Sequence, residues 1–311
     1  MGHNILSLSD RDLISYTKSI RDPSGAKYLN KLILNSINNF KPDIIILGHA
    51  DRVNIDVLSE AKIKNKSLKI SQWFLDPLSR KGPDYEKNKF RVIEKSKICD
   101  TSFVTSDPNS LDFKINNSFF MPNPCDNSLD YLRNYEMKPE YDIFYAISHG
   151  VHRGILRPGK TDEREIFIKK LKSKCKEISF DTYGMFGIQP VWGDEFLTKL
   201  SNSKMALNLS RGKPVKYYSS DRLAQLMGNG LLTFINKDTQ YGDFFNNKEM
   251  IFYANIDDLS EKIKRYSKND RDWRKIAKNG HRKYQKHFNS TNVSNYIIDK
   301  TFGIKSKYYW E

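Results

Sequence analysis

Apolar and polar positions alternate in blocks along this chain. Short runs rich in isoleucine, leucine, valine and aromatic residues are separated by longer stretches whose apolar positions recur every three or four residues. That succession predicts strands alternating with amphipathic helices, the signature of an α/β protein with parallel sheets. In the first half the predicted strands are 5–8, 43–47, 68–74 and 101–105, with a last short one at 119–121, and the helices are 26–40, 53–62 and 85–97. The second half restarts the pattern with strands at 141–147, 178–182, 205–209, 230–235 and 250–253, and ends from 257 onward in three consecutive helices. Between the halves MPNPCDNS (121–128), with two prolines and several turn formers, reads as a linker.

A chain of 311 residues exceeds the usual size of one core, so two domains are expected. The fold class expected is two Rossmann-like, doubly wound α/β halves whose strand ends face one another across a cleft, where ligands of such sheets bind. Because the first predicted strand follows the initiator directly, the expectation is an abbreviated first half or a truncated gene start.

Composition narrows the setting. Cys99, Cys125 and Cys175 are odd in number and widely spaced, which argues against a disulfide framework and a structural zinc site. No apolar run approaches the roughly 20 residues that span a bilayer, and no leader is recognisable. A cytoplasmic protein, peripheral at most to the inner face of a membrane, is the expectation. The net charge of +15, from 52 Lys and Arg against 37 Asp and Glu, implies attraction to polyanions. The cations are dispersed and no nucleic-acid motif accompanies them, so phosphorylated substrates or an anionic membrane surface are the expected partners, and nucleic acid is not.

The richest stretch is 205–235, MALNLSRGKPVKYYSSDRLAQLMGNGLLTFI, in which an apolar strand, a polar loop, a short helix and a second strand follow without a gap. Ser219, Ser220 and Asp221 are consecutive N-cap candidates, and Lys213, Lys216 and Arg222 stand around them. Unpaired N–H groups at a helix start, ringed by cations, suit a phosphate. Asn208, Ser210 and Arg211 close the preceding strand on the same edge, where they would line a nucleotide pocket.

Several segments in this order resemble the bacterial GT-B glycosyltransferases of the group 1 type, including the spore-maturation-like branch. They are WFLDP (73–77), FFMPNP (119–124), YAISHGVHRG (145–154), YG (183–184), SKMALNLSRG (203–212), SSDRLAQLMGNGLL (219–232) and IAKNGHRKYQKHFN (276–289). The resemblance implies an acceptor domain over 1–124, a nucleotide-sugar donor domain over 125–288 and a helix over 289–311 that crosses back to the first domain. It implies sugar transfer from a nucleotide donor to a glycan or lipid-linked acceptor in surface polysaccharide synthesis, with no metal or other cofactor. Arg153, Lys160, Lys216, Arg222 and the Ser219–Ser220 turn would then neutralise the leaving phosphates. Gln225 stands where the family usually has a glutamate that touches the donor, a departure that leaves the donor's identity open.

Transfer also needs a base or a polar face at the reacting carbon. His149, Asp51 and Asp76 are the principal candidates because all follow predicted strands on the two facing edges, and His49 and His152 stand beside them. Trp73 and Trp192 are candidates for stacking on sugar or base. Two other readings compete. One is a non-catalytic module of the same fold that binds nucleotide or glycan. The other is an NTPase, since GILRPGKT (154–161) formally matches the phosphate-loop pattern, although its glycine lies well past the strand end and Pro158 lacks the N–H a phosphate cradle uses.

Overall fold

The computed structural model describes every residue except Met1, Lys81, Pro83 and His149. Two helices, α1 (Asp10–Thr17) and α2 (Ala26–Phe40), precede β1 (Ile44–Gly48), α3 (Ile55–Lys64), β2 (Lys69–Phe74), α4 (Tyr85–Ser96), β3 (Thr101–Val104) and β4 (Ser118–Phe120). The second half runs β5 (Tyr141–Ala146), α5 (Glu163–Lys174), β6 (Phe180–Tyr183), α6 (Gly193–Ser201), β7 (Ser203–Asn208), α7 (Arg222–Gly228), β8 (Leu232–Asn236) and β9 (Ile251–Tyr253), then α8 (Ile256–Ser267), α9 (Asp270–His287) and α10 (Ser290–Phe302).

All pairings in both sheets are parallel, in the orders β1-β2-β3-β4 and β6-β5-β7-β8-β9. The halves are wound differently. In the first, the order never reverses, and α3 and α4 cover the face that carries Leu47, Ile70, Phe74 and Val104. The opposite face, with Trp73 and Phe103, is covered by α10 from the chain end: Tyr296 meets Phe103 edge-on at 5.5 Å, and Thr301 shares a buried 2.7 Å hydroxyl hydrogen bond with Thr101. In the second half the order reverses at β5, because β6 and β7 flank it on either side. The crevice outside the ends of β5 and β7 is therefore a topological switch point, the place where doubly wound sheets bind ligands.

Residues 5–8 form no strand. They are exposed, with Ile5 at 83%, and Ser9 begins α1 by accepting the Asp12 N–H. Alternation is only half of what a strand needs; without a neighbouring edge to supply hydrogen bonds the pattern does not order. The helix expected from Val53 starts at Ile55 because the Asn54 side chain caps it through the Asp56 N–H.

The two passages between halves run side by side. Cys125 donates its N–H to Phe288 O at 3.0 Å and accepts from Ser290 N–H at 2.8 Å, so the linker and the α9–α10 junction form one parallel bridge. Loops after β3 and β4 then meet the loop before α7: Asp107 N–H donates to Lys216 O, the Lys216 ammonium pairs with the Asp107 carboxylate at 3.0 Å, and Asn123 donates to Ser219 O at 3.0 Å.

Candidate functional site

At the switch point, Arg222 is the first residue of α7, following the Asp221 cap. Its Nε donates to Ala146 O at 3.2 Å, and one terminal nitrogen donates to Leu209 O at 3.1 Å and Ser220 Oγ at 3.2 Å. The guanidinium also lies over the ring of the buried Tyr145, whose hydroxyl donates to the same Leu209 carbonyl. Arg222 thus ties together the ends of β5 and β7 and sets a half-buried cation between them.

Two more arginines lie behind it. Arg164, on α5, makes a buried bidentate pair with Asp162 through Nε at 2.8 Å and a terminal nitrogen at 3.1 Å. Burial alone would raise the Asp162 carboxyl, but Arg164 outweighs it and holds the group below the usual range. Arg211 approaches from the β7 loop with Nε 3.8 Å from Asp162, beyond hydrogen-bond reach, and that nitrogen is buried without a hydrogen-bond partner among the described residues. Asn208 closes β7 with a buried Oδ1 in the same condition, and so does His152 Nε2. Arg222, Arg164 and Arg211 are thus gathered around Asp162 and the ends of β5 and β7, with orphaned polar atoms beside them. Such atoms are costly unless a ligand or water satisfies them.

The first half presents His49 and Asp76 to this crevice. His49 and Ala50 both take left-handed backbone, φ 48° and 42°, at the end of β1. Strain of this kind in two consecutive non-glycine residues persists only where the surroundings enforce it. It sets the His49 ring 4.7 Å from Phe74 and places Nδ1 3.9 Å from Asp76 Oδ2. Asp76 in turn faces Tyr218 of the second half: burial raises that phenol, the Asp76 carboxylate adds to the effect, and Arg222 opposes it.

The other candidate residues are distributed unevenly. Asp51 is clamped by Arg11 at 2.7 Å and Arg91 at 2.9 Å, which overcome the effect of burial and keep its carboxyl low. The clamp ties the turn after β1 to α1 and α4. His149 lies outside the described residues. Ser219 is fully buried, sharing a hydrogen bond with the Tyr241 hydroxyl at 2.8 Å and held by Asn123, so it braces the loop from below. Lys216 is engaged with Asp107. Ser210, Ser220 and Gln225 are half-buried, and Asp221 is exposed. Arg153 is exposed with φ 49°, and Lys160 is exposed farther along the same loop. In 154–161 Lys160 and Thr161 precede the Asp162 cap of α5 and Gly154 follows the end of β5 by seven intervening residues. A phosphate loop starts at its strand and runs its lysine into the helix, so this segment is not one.

Sequence reading noted Tyr145 only within YAISHGVHRG and passed over Asp162 and Arg164, which sit at an ordinary-looking helix start. It noted Gly184 only within YG. There φ is 75° and an added Cβ would lie 1.9 Å from Ile147 O, so the backbones after β5 and β6 meet over a glycine.

Two parallel α/β halves, joined by a double crossing and facing each other over a switch-point crevice, define a GT-B glycosyltransferase fold. Residues 160–299, which hold α5 through most of α10, match the model of a glycosyl transferase-like family. Solved structures agree on the fold. S. aureus TarM superposes with a TM-score of 0.59 at 14% identity, over 88% of this chain and 58% of that one. HepE of Anabaena, solved with UDP and glucose, gives 0.59 at 12% identity over 88% and 80%. The UDP-forming trehalose-phosphate synthase of Burkholderia xenovorans gives 0.57 at 7% identity over 93% and 80%. This chain therefore spans little more than half of TarM and most of the other two. No curated protein matches the sequence.

Proposed function

We propose that the protein transfers a sugar from a nucleotide-sugar donor, held by the second half, to a glycan or lipid-linked acceptor held by the first, in the building of surface polysaccharide. The observation that carries this reading is the convergence of Arg222, Arg211 and the orphaned Asn208 on one side of the cleft with His49 and Asp76 on the other. Transfer puts negative charge on the departing diphosphate, and arginines anchored to strand ends are preorganised to receive it without a metal ion. The same step releases a proton from the acceptor hydroxyl, and His49, whose Nδ1 is 3.9 Å from Asp76 Oδ2, is the group proposed to take it. HepE was solved with UDP and the trehalose-phosphate synthase is UDP-forming, which suggests a uridine nucleotide as the first donor to test.

The test is calorimetry with UDP-, GDP-, ADP-, TDP- and CMP-sugars, with and without magnesium, on wild type and Arg211→Ala, followed by product analysis with candidate acceptors. Metal-independent binding of one nucleotide class, weakened in the variant and leading to product, supports the reading. Binding without turnover would favour a non-catalytic module, and no binding of any sugar nucleotide would sink both.

A further inference from the structure

The turn between α1 and α2 projects apolar side chains among cations. Ser19 and Asp22 close it with paired backbone hydrogen bonds of 3.0 and 3.1 Å, which leaves Ile20 and Arg21 at the tip. Ile20 is fully exposed, Tyr16 is 86% exposed and Tyr28 is 51% exposed. Lys18, Arg21 and Lys27 are exposed alongside. Asp22, the acid of the turn, is bent back onto the Ser24 hydroxyl at 2.8 Å and the Lys27 N–H at 3.0 Å.

One exposed isoleucine needs no explanation. Ile20 at the tip of a braced turn, with Tyr16 in the last turn of α1, Tyr28 in the first turn of α2 and three cations interspersed in sequence, has the composition of an interfacial anchor. Tyrosine and isoleucine settle at the headgroup boundary, while lysine and arginine keep their stems apolar and their charges among lipid phosphates. We propose that this turn docks the protein on an anionic bilayer, with Tyr16, Ile20 and Tyr28 entering the headgroup layer and Lys18, Arg21 and Lys27 meeting the phosphates. The turn belongs to the half assigned above to the acceptor, and the proposal rests on that reading for its use in transfer; vesicle binding itself does not depend on it.

The full chain is sedimented with phosphatidylcholine vesicles, with or without phosphatidylglycerol. Wild type is expected to bind only the anionic vesicles. Tyr16→Ser with Ile20→Ser should lower partitioning on the order of tenfold, and Lys18→Glu with Arg21→Glu by at least tenfold. Lys169→Glu with Lys170→Glu makes the same charge change on exposed positions of α5 and should stay within about twofold. Undiminished binding of the apolar variant, or an equal loss in the α5 variant, overturns the proposal in favour of diffuse charge attraction. Transfer to a soluble acceptor is assayed on the same proteins. Vesicle binding that is lost in the turn variants while soluble transfer persists supports the docking turn, and turn-dependent vesicle binding by a protein that transfers nothing leaves it standing and counts against the transferase reading alone.

Discussion

The guanidinium of Arg222 lies 5.2 Å from the ring centre of Tyr145, and both side chains donate to the carbonyl of Leu209. One cation thereby fixes the spacing of β5 and β7 at the switch point. Lysine has neither the fork nor the planar face to replace it. Arg222→Lys is expected to cost about 2 kcal/mol of stability and to weaken nucleotide-sugar affinity as well; thermal melts and titration calorimetry on one preparation read both. Unchanged melting and unchanged affinity would show that the bridge is dispensable.

The Asp162–Arg164 pair gives the second half an acid-sensitive element. The folded Asp162 carboxyl sits below its unfolded value of about 4. Its contribution is therefore fully present above that pH and disappears as pH falls through the lower folded value. In Asp162→Asn the part of the stability loss below roughly pH 4 that belongs to this group should vanish. Arg164→Met strands a buried carboxylate and should cost about 3–5 kcal/mol at neutral pH. Parallel acid-unfolding curves for wild type and Asp162→Asn would contradict the assignment.

Gly184 tests how closely the loops after β5 and β6 must approach. With φ at 75° and the Ile147 carbonyl in the space of a Cβ, alanine requires the backbones to move apart. Gly184→Ala should destabilise by more than about 1 kcal/mol and displace the 147–162 loop, visible as a loss of donor affinity beyond what stability explains. Chemical denaturation against donor titration separates the two effects.

His49 and Asp51, two residues apart, should respond in opposite ways. His49→Gln keeps the ring site polar and is expected to lower kcat by roughly 100-fold or more with little change in melting temperature. Asp51→Asn breaks the clamp with Arg11 and Arg91 and should act mainly on stability, with kcat per folded molecule nearly intact. A kcat loss confined to Asp51→Asn would exchange their roles.

Much of the architecture is written locally. Each of the nine strands among the described residues overlaps an apolar block in the sequence, because a strand covered on both faces must be apolar nearly throughout. Helix starts at Asn54, Asp162, Asp221 and Asn255 carry their own cap chemistry. Segment 5–8 is the exception: it has the period of a strand and no partner, and pairing is never local.

Site chemistry divides along the same line. The sequence by itself determined that polar and charged residues follow the strands, since they must lie on the carboxyl edges, and so it marked Asn208, Arg211, Arg222, Asp51 and Asp76 together with His49. Only tertiary structure decided which of them are already committed. Asp51 is neutralised by arginines 40 residues away on either side, and Ser219 is consumed by Asn123 and Tyr241. Arg222 is drawn onto carbonyls of two strands, whereas Asn208 and Arg211 keep polar atoms unsatisfied. Residue type fixes what a side chain can bond to; which partner reaches it first depends on packing between segments far apart in the chain, and that information lies in the fold.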